Sequence, residues 1–392
     1  MTHRWKRTRL ASSILAAGFF FLSACLSTEP TTRHSPDPLS SERALEEIDR
    51  KIDSGQDPGP LLLERMEVLK DLADESSPDG RSVYYEEMVQ TAATPDLRQS
   101  ELADQADDRL RSTYEDEFQS GESGLGVAES SSLHHFRNAS ILQPEESDPY
   151  RHLSSILYRQ DRIPDAISIL ESAKRRIDPY PPDMSERIAY LYLESGQLDE
   201  AVTRYQSLVD EDSGRIDVRH ALVNAFILNE QHSDAVQELR ELLETHPENN
   251  WYRQSLAVEL FFLLQDHWGS TPPTERNENE IRTDLKWVDE AIEQLADPDE
   301  SPPADTESAY VLAQFYRNSG LYLLEQAEGL PNRIATELVS RGEYLLKEAI
   351  PRWKEMADQN PENRELWSHL QVMYLKLGLD EQARQIDEQL NS

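Results

Sequence analysis

The sequence predicts an all-α protein built as a solenoid of helix pairs, on three observations. First, Ala166, Ala201 and Ala235 recur at spacings of 35 and 34 residues, the length of two short helices with their turns. Second, apolar residues fall at three- and four-residue intervals along most of the chain. No segment alternates with period two between turn signals, so no sheet is expected. Third, glycine is scarce, 14 in 392 residues, and an apolar fraction of 38% supports ordered helices in spite of 29% charged residues.

Taken from the N-terminus, the chain opens on Arg4, Lys6, Arg7 and Arg9, passes through an apolar stretch from Leu10 to Phe21, and reaches Leu22-Ser23-Ala24-Cys25. Basic, then apolar, then small is the layout of a secretory signal over residues 1–24, and its apolar part is too short for an ordinary transmembrane span. Leu22-Ser23-Ala24-Cys25 resembles the lipobox of bacterial lipoproteins. That resemblance implies acylation of Cys25, cleavage before it, and attachment to a membrane through the N-terminal lipid. Cys25 is the single cysteine, so no disulfide forms within the chain. The alternative reading is a plain signal peptide with a chance cysteine. Leu26 stands where inner-membrane lipoproteins of Gram-negative families tend to carry Asp, which leans toward the outer membrane, facing the periplasm. Residues 25–40, polar and with three prolines, read as a tether.

Residues 41–120 read as an N-terminal helical region. Ser41 is expected to cap a helix carrying Leu45, Ile48 and Ile52 that ends near Gly55 and Pro58. A second helix is expected over Leu61 to Leu72, a third over Val83 to Ala92, and, after Pro95, one long polar helix from about Leu97 to Phe118. Residues 121–298 hold the repeat array. Its first member is degenerate, with Ser132, Phe136, Ala139 and Pro144. The middle copy carries Ile188, Ala189, Tyr192, Gly196, Ala201, Tyr205 and Leu208, and the next Leu222, Val223, Phe226, Ala235, Leu239, Leu242 and Pro247. A fourth first helix, Trp251 to Leu264, has its partner delayed to about Thr283 to Ala296. An insertion near 268–282, opening on Trp268-Gly269, either covers a groove or decorates one face. Residues 299–392 continue with a helix from Thr306 to Ala327 after Pro302-Pro303, bearing Ala309, Ala313, Tyr316 and Gly320. Ala349, Trp353, Met356 and Pro361 then mark a second helix, and Trp367, Leu370, Tyr374, Gly378 and Ala383 a last pair.

These residues resemble the tetratricopeptide repeat family, in which small residues such as Ala189 and Ala201 sit where paired helices cross closely and large ones fill the gaps between pairs. Tyr192, Tyr205, Trp353 and Trp367 are accordingly read as core. The resemblance implies a right-handed superhelix whose first helices line a concave face with their fifth, ninth and twelfth or thirteenth residues. Carried onto this chain, these are Arg151, Ser155 and Arg159; Glu186, Tyr190 and Glu194; His220, Asn224 and Leu228; and Gln254, Val258 and Phe261. Such a mixture suits an extended peptide or a partner helix. It lacks the paired Lys and Asn clamp of chaperone-binding members. Arg151 and Arg159, two helical turns apart, are expected to form a positive spot, or else to pair with acids such as Glu186.

Composition limits the partner. Net charge is −36, and removal of the leader, with four basic residues and no acids, brings it near −40. Nucleic-acid binding is therefore excluded. No catalytic, metal or cofactor residues are expected: His134 and His135 are adjacent, His220 and His232 lie on different helices, and Asp210 to Gly214 reads as a solvated turn. The leading expectation is a lipid-anchored periplasmic scaffold or adaptor for another envelope protein or peptide, in envelope or secretion-complex assembly. Rivals are a solvated face with no specific ligand, a glycan or small-molecule binder using Trp268 and groove aromatics, and a hydrolase with scattered residues.

Overall fold

The computed structural model describes residues 38–271, 275–295, 306–328, 330 and 332–391. The leader, Cys25, most of the tether, Ala296, Pro302 and Pro303 lie outside the described residues. Among those described there are eighteen helices and no strand. No helix among them is long and apolar enough to cross a membrane. Contacts divide the chain into two compact units, parted at Ala106.

The first unit contains α1 (Pro38–Asp53), α2 (Pro58–Glu75), α3 (Ser82–Ala92), α4 (Pro95–Arg98) and the start of α5 (Ala103–Ser123). Two expectations are corrected here. The first helix starts at Pro38, not after a Ser41 cap. Proline's fixed φ and missing N–H suit a first helical position, and Ser41 lies inside the helix, 5% exposed. The long polar helix from Leu97 is two helices. Ser100 Oγ donates to the Leu97 carbonyl at 2.8 Å and accepts from the Leu102 amide at 3.1 Å, so one hydroxyl closes α4 and serves the turn leading to α5. Ile48, Met66, Leu69, Tyr85, Met88 and Leu97 are buried in this unit. On α2, Arg65 ties three helices together: Nε reaches Asp49 on α1 at 3.2 Å, while the other two nitrogens reach Glu87 and Thr91 on α3.

The second unit is a solenoid of helix pairs. After α5 and α6 (Glu129–Leu142) come α7 (Asp148–Arg159) with α8 (Ile163–Lys174), α9 (Pro182–Glu194) with α10 (Leu198–Glu211), and α11 (Ile216–Leu228) with α12 (His232–Thr245). Ala166, Ala189, Ala201 and Ala235 are fully buried, as required where helices cross closely. The turns within these pairs share one geometry. A left-handed residue, Asp161, Gly196 or Glu230, follows the first helix at φ of 59°, 75° and 59°. The next amide bonds back to the carbonyl five residues earlier: Arg162 to Leu157 at 2.9 Å, Gln197 to Tyr192 at 3.0 Å, and Gln231 to Phe226 at 3.0 Å. This closure uses helix-end carbonyls that would otherwise lack donors.

The middle pairs are longer. α13 (Asn250–Gly269) continues five residues past Leu264, and α14 (Glu278–Leu295) begins before the expected Thr283. Residues 268–269 and 278–282 of the insertion are therefore added helix. Trp268 is not a solvent-facing loop aromatic: it is 1% exposed, and its indole N–H donates to Asp284 on α14 at 2.8 Å. That burial removes it from any glycan-binding surface. α15 (Thr306–Ala327) lies against α16 (Asn332–Gln359). A Cβ on Gly320 would stand 2.9 Å from the Gly342 carbonyl oxygen, and one on Gly342 2.9 Å from that of Gly320, so both positions require glycine. Trp353 on α16 donates to the Ala313 carbonyl at 2.9 Å. The last pair, α17 (Arg364–Lys376) and α18 (Asp380–Asn391), repeats the left-handed turn at Gly378 and buries Trp367, Leu370 and Ala383. Tyr205 and Trp353 are buried as expected; Tyr192 is half-buried, with the Arg204 guanidinium 5.9 Å from its ring centre.

Candidate functional site

The first helices α7, α9, α11 and α13 carry the residues read from the sequence as the groove, and the structure shows what each one touches. Arg151 spans to α9, where its Nε and one terminal nitrogen meet the two oxygens of Asp183 at 2.8 and 2.9 Å; its other terminal nitrogen meets Asp148 at 2.7 Å. The two-pronged bond to Arg151 holds the Asp183 carboxyl below its ordinary range. Arg159 pairs with Glu129 on α6 at 2.8 Å, and Glu186 with Arg215 at 2.6 Å. The expected positive spot is therefore corrected: both arginines carry an acid of their own, and the partner of Arg151 is Asp183 rather than Glu186. The reason is reach, since Asp183 opens α9 directly across from Arg151. Ser155 is half-buried in an open depression shared with Leu125, Gly126, Glu129, His152 and Arg159.

Farther along, the hydroxyl of Tyr190 lies 3.0 Å from that of Tyr158 on α7, and Tyr158 donates to Glu194 at 3.4 Å. Burial, then the Tyr158 bond and the charge of Glu194, push the Tyr190 phenol above its ordinary range. His220 packs its ring on Trp251 with centroids 4.3 Å apart, and burial lowers its pKa, keeping it neutral near pH 7. Asn224, Gln254 and Val258 are half-buried, and Leu228 is 41% exposed. Phe261 is drawn into the packing of α13 on α15, with Phe315 and Tyr322 at 6.0 and 5.7 Å.

Sequence reasoning missed two residues of this face, Tyr158 and Arg187. The Arg187 guanidinium carbon lies 4.7 Å from the ring centre of Tyr158 and 5.2 Å from that of Tyr190. Its Nε is buried with no hydrogen-bond partner. The signal available was spacing, because Asp183, Arg187, Tyr190 and Glu194 share one helical stripe.

Histidine has a different role elsewhere in the second unit. His135 Nδ1 lies 2.7 Å from Glu117, His232 Nδ1 2.6 Å from Glu259, and His267 Nδ1 2.8 Å from Asp284. Each of these carboxylates is buried. Burial opposes charge on His232, but the hydrogen bond and charge of Glu259, with Asp266 and Glu230, outweigh it and raise its pKa. Among the described residues no group of three or more His, Cys, Asp or Glu is placed to hold a metal ion.

Residues 192–257, from the end of α9 to the start of α13, match the model of the tetratricopeptide repeat. No curated protein sequence matches the chain. Among solved structures, MamA (41-end) from Desulfovibrio magneticus RS-1 is 13% identical, with a TM-score of 0.35, over 46% of this chain and 94% of its own. The pilF protein of Pseudomonas aeruginosa is 12% identical, with a TM-score of 0.34, over 64% and 99%. YrrB, described as a tetratricopeptide protein with an unusual peptide-binding site, is 15% identical, with a TM-score of 0.31, over 52% and 95%. With residues 192–257 matched, and with the α7–α8 and α17–α18 pairs sharing their buried alanines and left-handed turns, the chain carries tetratricopeptide repeats.

Proposed function

We propose that the protein is a lipid-anchored scaffold of the bacterial envelope, and that the face formed by α7, α9, α11 and α13 binds a polypeptide segment of another envelope protein. The observation that carries this reading is the character of the inward positions. Tyr158, Tyr190, His220, Asn224 and Gln254 are half-buried polar or aromatic residues on successive first helices, with Leu228 exposed among them. Side chains of that kind offer area and hydrogen bonds without closing a pocket, which suits an extended ligand. Anchoring rests on the lipobox at Leu22 to Cys25 and on the single thiol.

The test is capture from solubilised envelope by the full-length protein, compared with Leu228→Glu and Tyr190→Ala forms of equal helicity and melting temperature. The expected result is a specific partner retained by the wild type and lost by both variants. Equal retention by all three overturns the assignment of this face.

A further inference from the structure

We infer that the α7–α9 stretch of the groove receives one carboxylate of the bound polypeptide, and that the Arg187 guanidinium holds it; this rests on reading the face as a polypeptide groove. The helices α7 and α9 themselves carry three arginines in an acid-rich chain of net charge −36. Arg151 is held by Asp183 and Asp148, and Arg159 by Glu129. The Arg187 guanidinium lies over the rings of Tyr158 and Tyr190, and among the described residues no carboxylate pairs with it. Its buried Nε has no acceptor. A guanidinium presents five N–H donors in a rigid fork that matches a carboxylate, and contact with two aromatic rings restricts its movement before a ligand arrives.

The surroundings define the ligand further. Glu186, the neighbour of Arg187, is committed to Arg215, whereas Glu194 is exposed beside the Tyr158 hydroxyl. A run of acids would be repelled by Glu194 and by the net charge of the protein. A lone Asp or Glu flanked by basic or apolar residues meets Arg187 with less of that repulsion. The continuation of the face along α11, with Asn224 and exposed Leu228, favours a polypeptide over a small carboxylic acid.

Random decapeptides displayed on phage, panned on the full-length protein in detergent and in parallel on its Arg187→Gln form, test the inference. The wild-type pool is expected to converge on peptides with one acidic residue. Synthetic versions, followed by fluorescence anisotropy, should lose about tenfold or more in affinity when that acid is replaced by its amide, as expected for a charge-assisted bond. Arg187→Gln should cost as much, with no further loss when both changes are combined, and Arg187→Lys should restore part of the affinity. Melting curves of the variants should match the wild type, and the exchange made in the peptide gives the same answer without altering the protein. Acid-free peptides in the wild-type pool, or unchanged affinity in folded Arg187→Gln, overturn the inference and leave the groove standing. A wild-type pool no richer than its input overturns both.

Discussion

Loss of His232 provides the most direct physical test of the second unit. Its ring bridges α12 to α13, with Nδ1 2.6 Å from Glu259 and Nε2 3.6 Å from Asp266. Glu259 is 2% exposed, and the His232 ring is the polar partner its carboxyl meets there. Removing one partner of such a buried pair leaves the other stranded, at a cost of about 3–5 kcal/mol. His232→Ala should therefore destabilise the second unit by about that amount near pH 6. The pH dependence has a definite sign. The folded pKa of His232 is raised above the usual value of 6.5, so the folded state binds the proton more tightly than the unfolded chain. That contribution is complete below the unfolded pKa and is lost as pH rises through the raised folded value. Denaturant midpoints from pH 5.5 to 9 for wild type and His232→Ala should converge as pH rises, and subtraction of the two profiles removes what the rest of the chain contributes. A difference that is constant with pH, or that grows toward alkaline pH, refutes the reasoning.

Other substitutions have expected outcomes. Ala201→Trp should overpack a fully buried crossing and cost on the order of 1–3 kcal/mol, read as a lowered melting temperature; an unchanged melting curve would contradict the repeat phase. Asp161→Gly should stabilise by up to about 1 kcal/mol, because a φ of 59° suits glycine better than a residue with a Cβ, whereas Gly196→Ala should destabilise by a similar amount. Gly320→Val should lower the melting temperature, since its side chain meets the Gly342 carbonyl and Leu346 within 3 Å. Cys25→Ser should abolish incorporation of a labelled fatty acid, and equal labelling of mutant and wild type would remove the anchor.

The regular pairs were legible because their chemistry is local. Gly196 is the fifteenth residue counted from the start of α9, and it marks the turn both in the sequence and in the structure. The irregular pairs were harder to delimit because residues in the same register do other work. In α13 that position is Leu264, fully buried, and the helix runs on to bury Trp268 against Asp284. In α15 it is Gly320, which serves a close helix crossing instead of ending a helix. The groove was legible as a set of positions but not as a distribution of charge. Which acid neutralises Arg151, and that Arg187 faces two tyrosines instead, depends on side-chain directions between neighbouring repeats, about 30 residues apart in sequence.

The contact between Gly320 and Gly342 has a mechanical consequence. Elsewhere in the solenoid, side chains separate paired helices, and rotamer changes let one repeat bend relative to the next. Between α15 (22 residues) and α16 (28 residues) the backbones approach directly at Gly320 and Gly342, with the Leu324 and Leu346 side chains packed beside them. Where two backbones touch at a single point, a side chain added there has nowhere to turn, so this crossing tolerates less change of helix spacing than one held apart by side chains.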